Sequence, residues 1–128
     1  MLCYHGSPRS NVDVLLSTTP EKVLDNLFEG QSADILAGGH SHIQMLRRYG
    51  RQVIINPGSV GNAFLRPFSP GVVPTLLPWA EYAILSVDSA DWGVDLRRVK
   101  FDTQTVLQLA ETIESPSRDW KLDLYSQG

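Results

Sequence analysis

The stretch TTPEKVLDNLFEGQSADILAGGHSH, residues 18 to 42, restricts the fold more than any other part of the chain. Its first half spells an amphipathic helix. Thr18 or Thr19 can cap it, Pro20 and Glu21 suit the first turn, Val23, Leu24, Leu27 and Phe28 form one apolar stripe, and Gly30 stops it. The run ADILAGG follows at once, short, apolar and bounded by glycines, as a buried strand is. A helix leading straight into such a strand belongs to a layered α/β fold.

The flanking segments extend that pattern. MLCYHGSPRS reads as the end of a buried strand entering a loop; because strands usually run about five or six residues, this one reads as starting partway. IQMLRRY and RQVIIN are expected to pair as a hairpin around Gly50, and NPGSVGN breaks the second strand. From Phe64 to Trp79 the chain carries Pro67, Pro70, Pro74 and Pro78 without any period, which predicts a long ordered loop. Its Phe64, Phe68 and Trp79 could shape a pocket for a nucleobase or aryl group. EYAILSVDS and GVDLRRVKF form a second expected hairpin, with a bulge where the apolar phase slips between Leu96 and Val99. TQTVLQLAETIES predicts a helix with Val106, Leu109, Ala110 and Ile113 on one face, stopped before Pro116. The last dozen residues read as a polar tail whose Trp120, Leu122 and Leu124 pack back on the body.

Composition narrows the function classes. The length of 128 residues suits a single domain, 1-128, and 42% apolar with 20% charged residues is the balance of a soluble globular protein. Eleven basic and fourteen acidic residues, net -3, stand in no long block of one sign, so capture of nucleic acid or an anionic membrane is not indicated. Cys3 is the only cysteine and can form no internal disulfide, which points to a cytoplasmic protein. No apolar run approaches the roughly 20 residues of a membrane helix, and a signal peptide's basic and apolar regions are not seen at the N-terminus.

The chemistry must then come from the three histidines. On an extended segment residues i and i+2 share a side, so His40 and His42 are expected to face one site with Ser41 turned away. A solvated strand face gives the same spacing. His5 repeats the local grammar: an apolar strand end, the histidine, then Gly6. In open α/β sheets ligands sit beyond the carboxyl ends of strands, so all three imidazoles are expected at one edge, with Asn56 beside them if its strand runs the same way. Neutral imidazole is a good ligand for zinc, iron, manganese or nickel.

Taken in order, HGSPR, ADILAGGHSH, VIINPGSVG, and the YAILSVD and VDLRRVKFD hairpin with its closing helix resemble the C-terminal half of the calcineurin-like metallophosphoesterases, in particular the small bacterial and archaeal phosphodiesterases. The resemblance spans residues 2 to about 114 and is weakest from 64 to 79. It implies a partial β-sandwich flanked by helices and a pair of divalent metals (manganese, zinc, iron or nickel) that activate water against a phosphate ester. By motif position His5 and His40 would hold one metal and His42 the other, while Arg9 and Asn56 would meet substrate. Ser41 stands where the family usually has threonine.

The first half of that family brings an Asp-x-His, a Gly-Asp-x-x-Asp and an Asn-His pair, and none of these occurs here. Asp34, six strand residues before His40, lies roughly 20 Å away; Asp13 is the nearer carboxylate. The expectation is therefore a phosphoesterase piece, inactive alone, whose N-terminal half is missing. The alternatives are a non-catalytic half-domain completed by a partner or by a second copy, and a mononuclear zinc module built from His5, His40 and His42.

Overall fold

Each apolar segment that ends in glycine, histidine or asparagine becomes a strand, and these strands lie side by side. In the computed structural model, which describes residues 1–89, 91–116 and 118–126, β1 (Leu2–Cys3), β2 (Ile35–Ala37), β3 (Met45–Tyr49) and β4 (Gln52–Asn56) form one sheet in the order β1-β2-β4-β3. β1, β2 and β4 run parallel, with Leu2 beside Leu36 and Ala37 beside Ile55, whereas β3 and β4 form the expected hairpin around Gly50, whose φ of 57° glycine tolerates without strain. β4 thus carries Asn56 to the same edge as β1 and β2. The fold is mixed α/β, with sheets flanked by helices.

The first helix, α1, spans Glu21–Leu27 and buries Leu24, with Phe28 just beyond it. Neither Thr18 nor Thr19 caps it, contrary to expectation: Pro20 occupies the capping position, and the Thr19 hydroxyl accepts instead from the Leu16 amide at 2.9 Å. That bond closes the preceding turn and leaves the hydroxyl no reach to the helix. Leu15, Leu24, Phe28, Leu36, Met45 and Ile54 form the buried cluster between helix and sheet.

β5 (Trp79–Val87) and β6 (Trp92–Lys100) make the second sheet, a hairpin whose register runs unbroken from Trp79 opposite Lys100 to Val87 opposite Trp92. The expected bulge between Leu96 and Val99 is not there. The apolar phase slips because Arg98, on the face of Val94 and Leu96, meets the buried Glu81 opposite it, and an ion pair replaces an apolar pair at that end.

Two helices close the chain. The first, α2, spans Thr103–Thr112 and is capped by Asp102, whose carboxylate accepts from the Gln104 amide and the Thr105 hydroxyl. These bonds, the Thr105 hydroxyl foremost, hold the Asp102 carboxyl below the usual range. Of the apolar stripe on α2 only Ala110 is buried, while Leu109 and Ile113 are 56% and 55% exposed. Where a polar tail was expected, residues Arg118–Ser126 form α3. Its Leu124 and Tyr125 join Leu76 in a second buried cluster, with Phe64 and Phe101 against it. The long loop between β4 and β5 is ordered against this cluster, pinned by a bridge between Phe64 and Leu76. Among the described residues no helix is long and apolar enough to cross a membrane.

Candidate metal centre

Parallel pairing continues past the strands and sets the site. The Tyr4 amide donates to the Ala37 carbonyl at 3.0 Å, the Gly39 amide to the His5 carbonyl at 2.8 Å, and the Gly38 amide to the Ile55 carbonyl at 2.9 Å. These bonds lock the carboxyl ends of β1, β2 and β4 in step. Gly38 is required there by space, since a Cβ on it would overlap the Tyr4 ring. His5 and His40 consequently meet, with Nε2 of His5 3.0 Å from Nδ1 of His40 and the rings edge to face at 4.9 Å.

His42 is placed differently from the sequence expectation. The Gly-His-Ser-His segment is not extended: His40 has φ 66° and His42 φ 57°, both left-handed. The same-side rule for alternate residues of a strand therefore does not apply. Nδ1 of His42 lies 2.9 Å from the carbonyl oxygen of Asn62, and its ring stacks on Phe64 at 4.7 Å. A carbonyl only accepts, so Nδ1 carries the proton and Nε2 keeps the lone pair that a metal would use.

Asn56 is the brace of this loop. Its side chain is 2% exposed, and its amide donates to the Gly39 carbonyl at 2.8 Å and the Ser41 hydroxyl at 2.9 Å while its oxygen accepts from the Gly58 amide at 2.9 Å. Both amide donors are spent on the loop and its oxygen on the next turn. Asn56 was expected to meet substrate; in the structure its buried amide holds the histidine loop. Arg9, the other expected substrate contact, pairs with Glu29 at 2.7 Å on the surface. Asp13 is no free carboxylate either, because the Ser7 hydroxyl donates to it and the same Ser7 oxygen accepts from the Arg9 and Ser10 amides.

Sequence reasoning passed over two residues that frame the site. Glu81, 3% exposed, accepts from Arg98 at 2.9 Å and from the Trp79 indole at 3.0 Å, and packs against Gly58, where no side chain would fit. The Gln44 amide nitrogen lies within 3.1–3.3 Å of the carbonyls of Pro57, Tyr82 and Arg97, joining the turn after β4 to both strands of the second hairpin. The available signal was the inward face that Glu81 shares with Ala83 and Leu85.

The His5–His40 geometry suits a metal in part. Two nitrogen ligands at about 2.1 Å from an ion stand about 3.0 Å apart on an octahedral edge and about 3.4 Å apart on a tetrahedral one. The observed 3.0 Å separation falls at the octahedral value, but it is also a hydrogen bond in which one ring nitrogen donates to the other, so that proton must leave before both nitrogens can face an ion. Among the described residues, however, no group of three or more histidine, cysteine, aspartate or glutamate side chains stands close enough to hold an ion. The three histidines do not form the single cluster that a mononuclear zinc site needs.

Solved structures with similar backbones include Vps29 complexed with zinc from Entamoeba histolytica, at TM-score 0.45 and 22% identity over 77% of this chain and 53% of that one. A double mutant of Vps29 from the same organism matches at TM-score 0.42 and 23% identity over 66% and 48%. Vacuolar protein sorting 29 from Cryptosporidium parvum matches at TM-score 0.33 and 18% identity over 65% and 46%. The chain spans about half the length of each of these structures. No family model matches the chain, and no curated protein does.

Proposed function

We propose that this chain is the histidine-bearing half of a metallophosphoesterase-type domain, and that it acts by binding: its site is completed by donors from another segment or another chain. The observation that carries this reading is the His5–His40 pair, set at 3.0 Å on neighbouring parallel strand ends and lacking a third donor among the described residues. Two neutral imidazoles alone hold a divalent ion weakly, whereas the same two beside added carboxylates form a strong site. His5 and His40 would supply one ion and Nε2 of His42 the other. When bound, such ions neutralise phosphate oxygens and lower the pKa of water.

The open edge of the first sheet supports completion from outside. β1 pairs with β2 on one side only, so its other side offers unpaired backbone groups beside His5. An added strand there would end next to His5. The substrate class under this reading is a phosphate ester, and turnover belongs to the completed domain.

Calorimetric titration of the chain with zinc and with manganese, alongside hydrolysis of a bis-aryl phosphate, tests the proposal. The expected result is binding in the micromolar range or weaker, reduced by His5→Ala and by His40→Ala, with no turnover. Robust hydrolysis by the chain alone would overturn it. Equally, nanomolar zinc at one equivalent would show that the ligand set is complete. Size measurement separates the modes of completion, since self-association would make a second copy the source.

A further inference from the structure

While Asn56 braces Gly39 and Ser41 on either side of His40, the ring of His42 is held by the segment that follows NPGSV. The Asn62 carbonyl accepts its Nδ1 proton, the Phe64 ring lies 4.7 Å from its own, and the Phe64 amide donates to the His42 carbonyl at 3.2 Å. That segment in turn leans on α3. The Tyr125 hydroxyl donates to the Gly61 carbonyl, one residue before Asn62, and the buried Tyr125 and Leu124 pack with Leu76, Phe64 and Phe101. On the other side the Ser59 hydroxyl, accepting from the Asn62 amide at 3.0 Å, the pairing of the Leu77 amide with the Ala63 carbonyl at 2.8 Å and the Phe64–Leu76 bridge hold it.

We propose that Tyr125 is a positioning residue for His42: through its bond to Gly61, α3 fixes the Asn62 carbonyl and with it the tautomer and aim of the His42 imidazole. The functional weight of this inference rests on the reading above that His42 is a metal ligand. The coupling itself does not. With Nδ1–H pinned by Asn62, Nε2 is the free lone pair; once the carbonyl swings away, the proton is free to move to Nε2 and the ligand atom is lost. The helix farthest along the chain thereby governs whether one of the three imidazoles is ready.

The test is nitrogen NMR of the histidine rings in the full chain, metal-free, at a pH well above the ordinary imidazole pKa. Tyr125→Phe keeps the ring against Phe101 and removes only the hydroxyl. The expected result is about a fivefold rise in the ratio of Nε2–H to Nδ1–H tautomer at His42, roughly the factor one ordinary hydrogen bond commands, with His5 and His40 unchanged. An unaltered His42 tautomer would overturn the inference. So would equal changes at all three rings, which would signal general loosening. Should Tyr125→Phe not fold, Leu124→Ala keeps the hydroxyl but removes a buried anchor of α3, so that the Tyr125 bond to Gly61 loosens; a rise confined to His42 is again expected, and either of the two contrary results would again overturn the inference. Because no metal or partner enters this measurement, its failure is separate from a failure of the titration above.

Discussion

Replacing Asn56 with alanine tests whether one buried amide holds the whole histidine loop. The substitution deletes bonds to the Gly39 carbonyl, the Ser41 hydroxyl and the Gly58 amide, all within 2.8–2.9 Å and inside the protein. At a net worth of about 1 kcal/mol each, their loss amounts to about 3 kcal/mol, and any of the three left dry and unpaired raises that figure. Against these bonds stand two histidines in left-handed backbone, at about 1–2 kcal/mol apiece for residues with a Cβ. The two sums are of similar size, so the loop is expected to relax when the amide goes, carrying His40 away from His5. Urea unfolding should show a lower midpoint at unchanged slope, and the amide resonances of residues 38–44 should shift while those of α1 stay. Asn56→Asp should be at least as damaging, because it keeps the acceptor for Gly58 but turns a carboxylate oxygen on the Gly39 carbonyl. A stability loss under about 1 kcal/mol with an unmoved loop would refute the reasoning. It would mean that backbone bonds suffice.

Two further outcomes follow from local geometry. Gly38→Ala should cost about 1–3 kcal/mol by driving the Tyr4 ring from its place 5.6 Å from Phe28, and Tyr4→Leu should recover part of that loss; strict additivity in a double-mutant cycle would refute the contact. The Tyr49 phenol, pushed up to about 12 chiefly by donating to Asp25 at 2.7 Å, keeps its proton longer in the folded chain than its ordinary value of 10.0. Its folded value is the higher one, so its contribution to stability is complete below about pH 10 and fades as pH rises from there through about 12. Asp25→Asn should bring the Tyr49 NMR titration back toward 10.0, and an unmoved midpoint would rule out the carboxylate as the cause.

The meeting of His5 and His40 was legible because it needs only topology. Two apolar runs, each ending in histidine, become adjacent parallel strands, and adjacency puts the ends together. The hairpin at Gly50 sets β4 antiparallel to β3, but the direction of β4 was left open by the sequence; its parallel pairing with β2 is what brings Asn56 to the same edge. His42 was not legible. Two glycines precede His40, and glycine is the residue expected to take unusual dihedrals, yet the left-handed positions fall on the histidines while Gly38 serves to clear the Tyr4 ring. Nothing local in the sequence announces a non-glycine φ near 60°, since the bonds from Asn56 that hold it come from another strand. The bonds of Asn56 were not legible for the same reason: an exposed and a buried asparagine are spelled alike, and only its three partners show what it holds. The final helix escaped because its two buried residues, Leu124 and Tyr125, adjoin and show no helical period by themselves.

Polar contacts join the two sheets around the histidines. The buried clusters lie apart, one under α1 and one under α3, and neither includes the inward residues of the β5–β6 hairpin. Among the contacts that cross between are Gln44 on three carbonyls, the Glu81 amide on the Ser59 carbonyl at 2.9 Å, and the Glu81 carboxylate against Gly58. An amide has only two N–H bonds for the three carbonyls around Gln44, so one contact is shared and that junction is the weaker. Directional bonds fix orientation more sharply than apolar burial does, and each of these acts on the turn that Asn56 also grips. The His5–His40 pair is therefore held in a frame assembled before any ion or added donor arrives. Such a frame lowers the ordering cost of binding, because incoming donors need not organise the histidines as well as themselves. The geometry of the pair is kept by its own hydrogen bond and by Asn56, which grips Gly39 and Ser41 on either side of His40, while Gln44 and Glu81 fix the turn that Asn56 also holds.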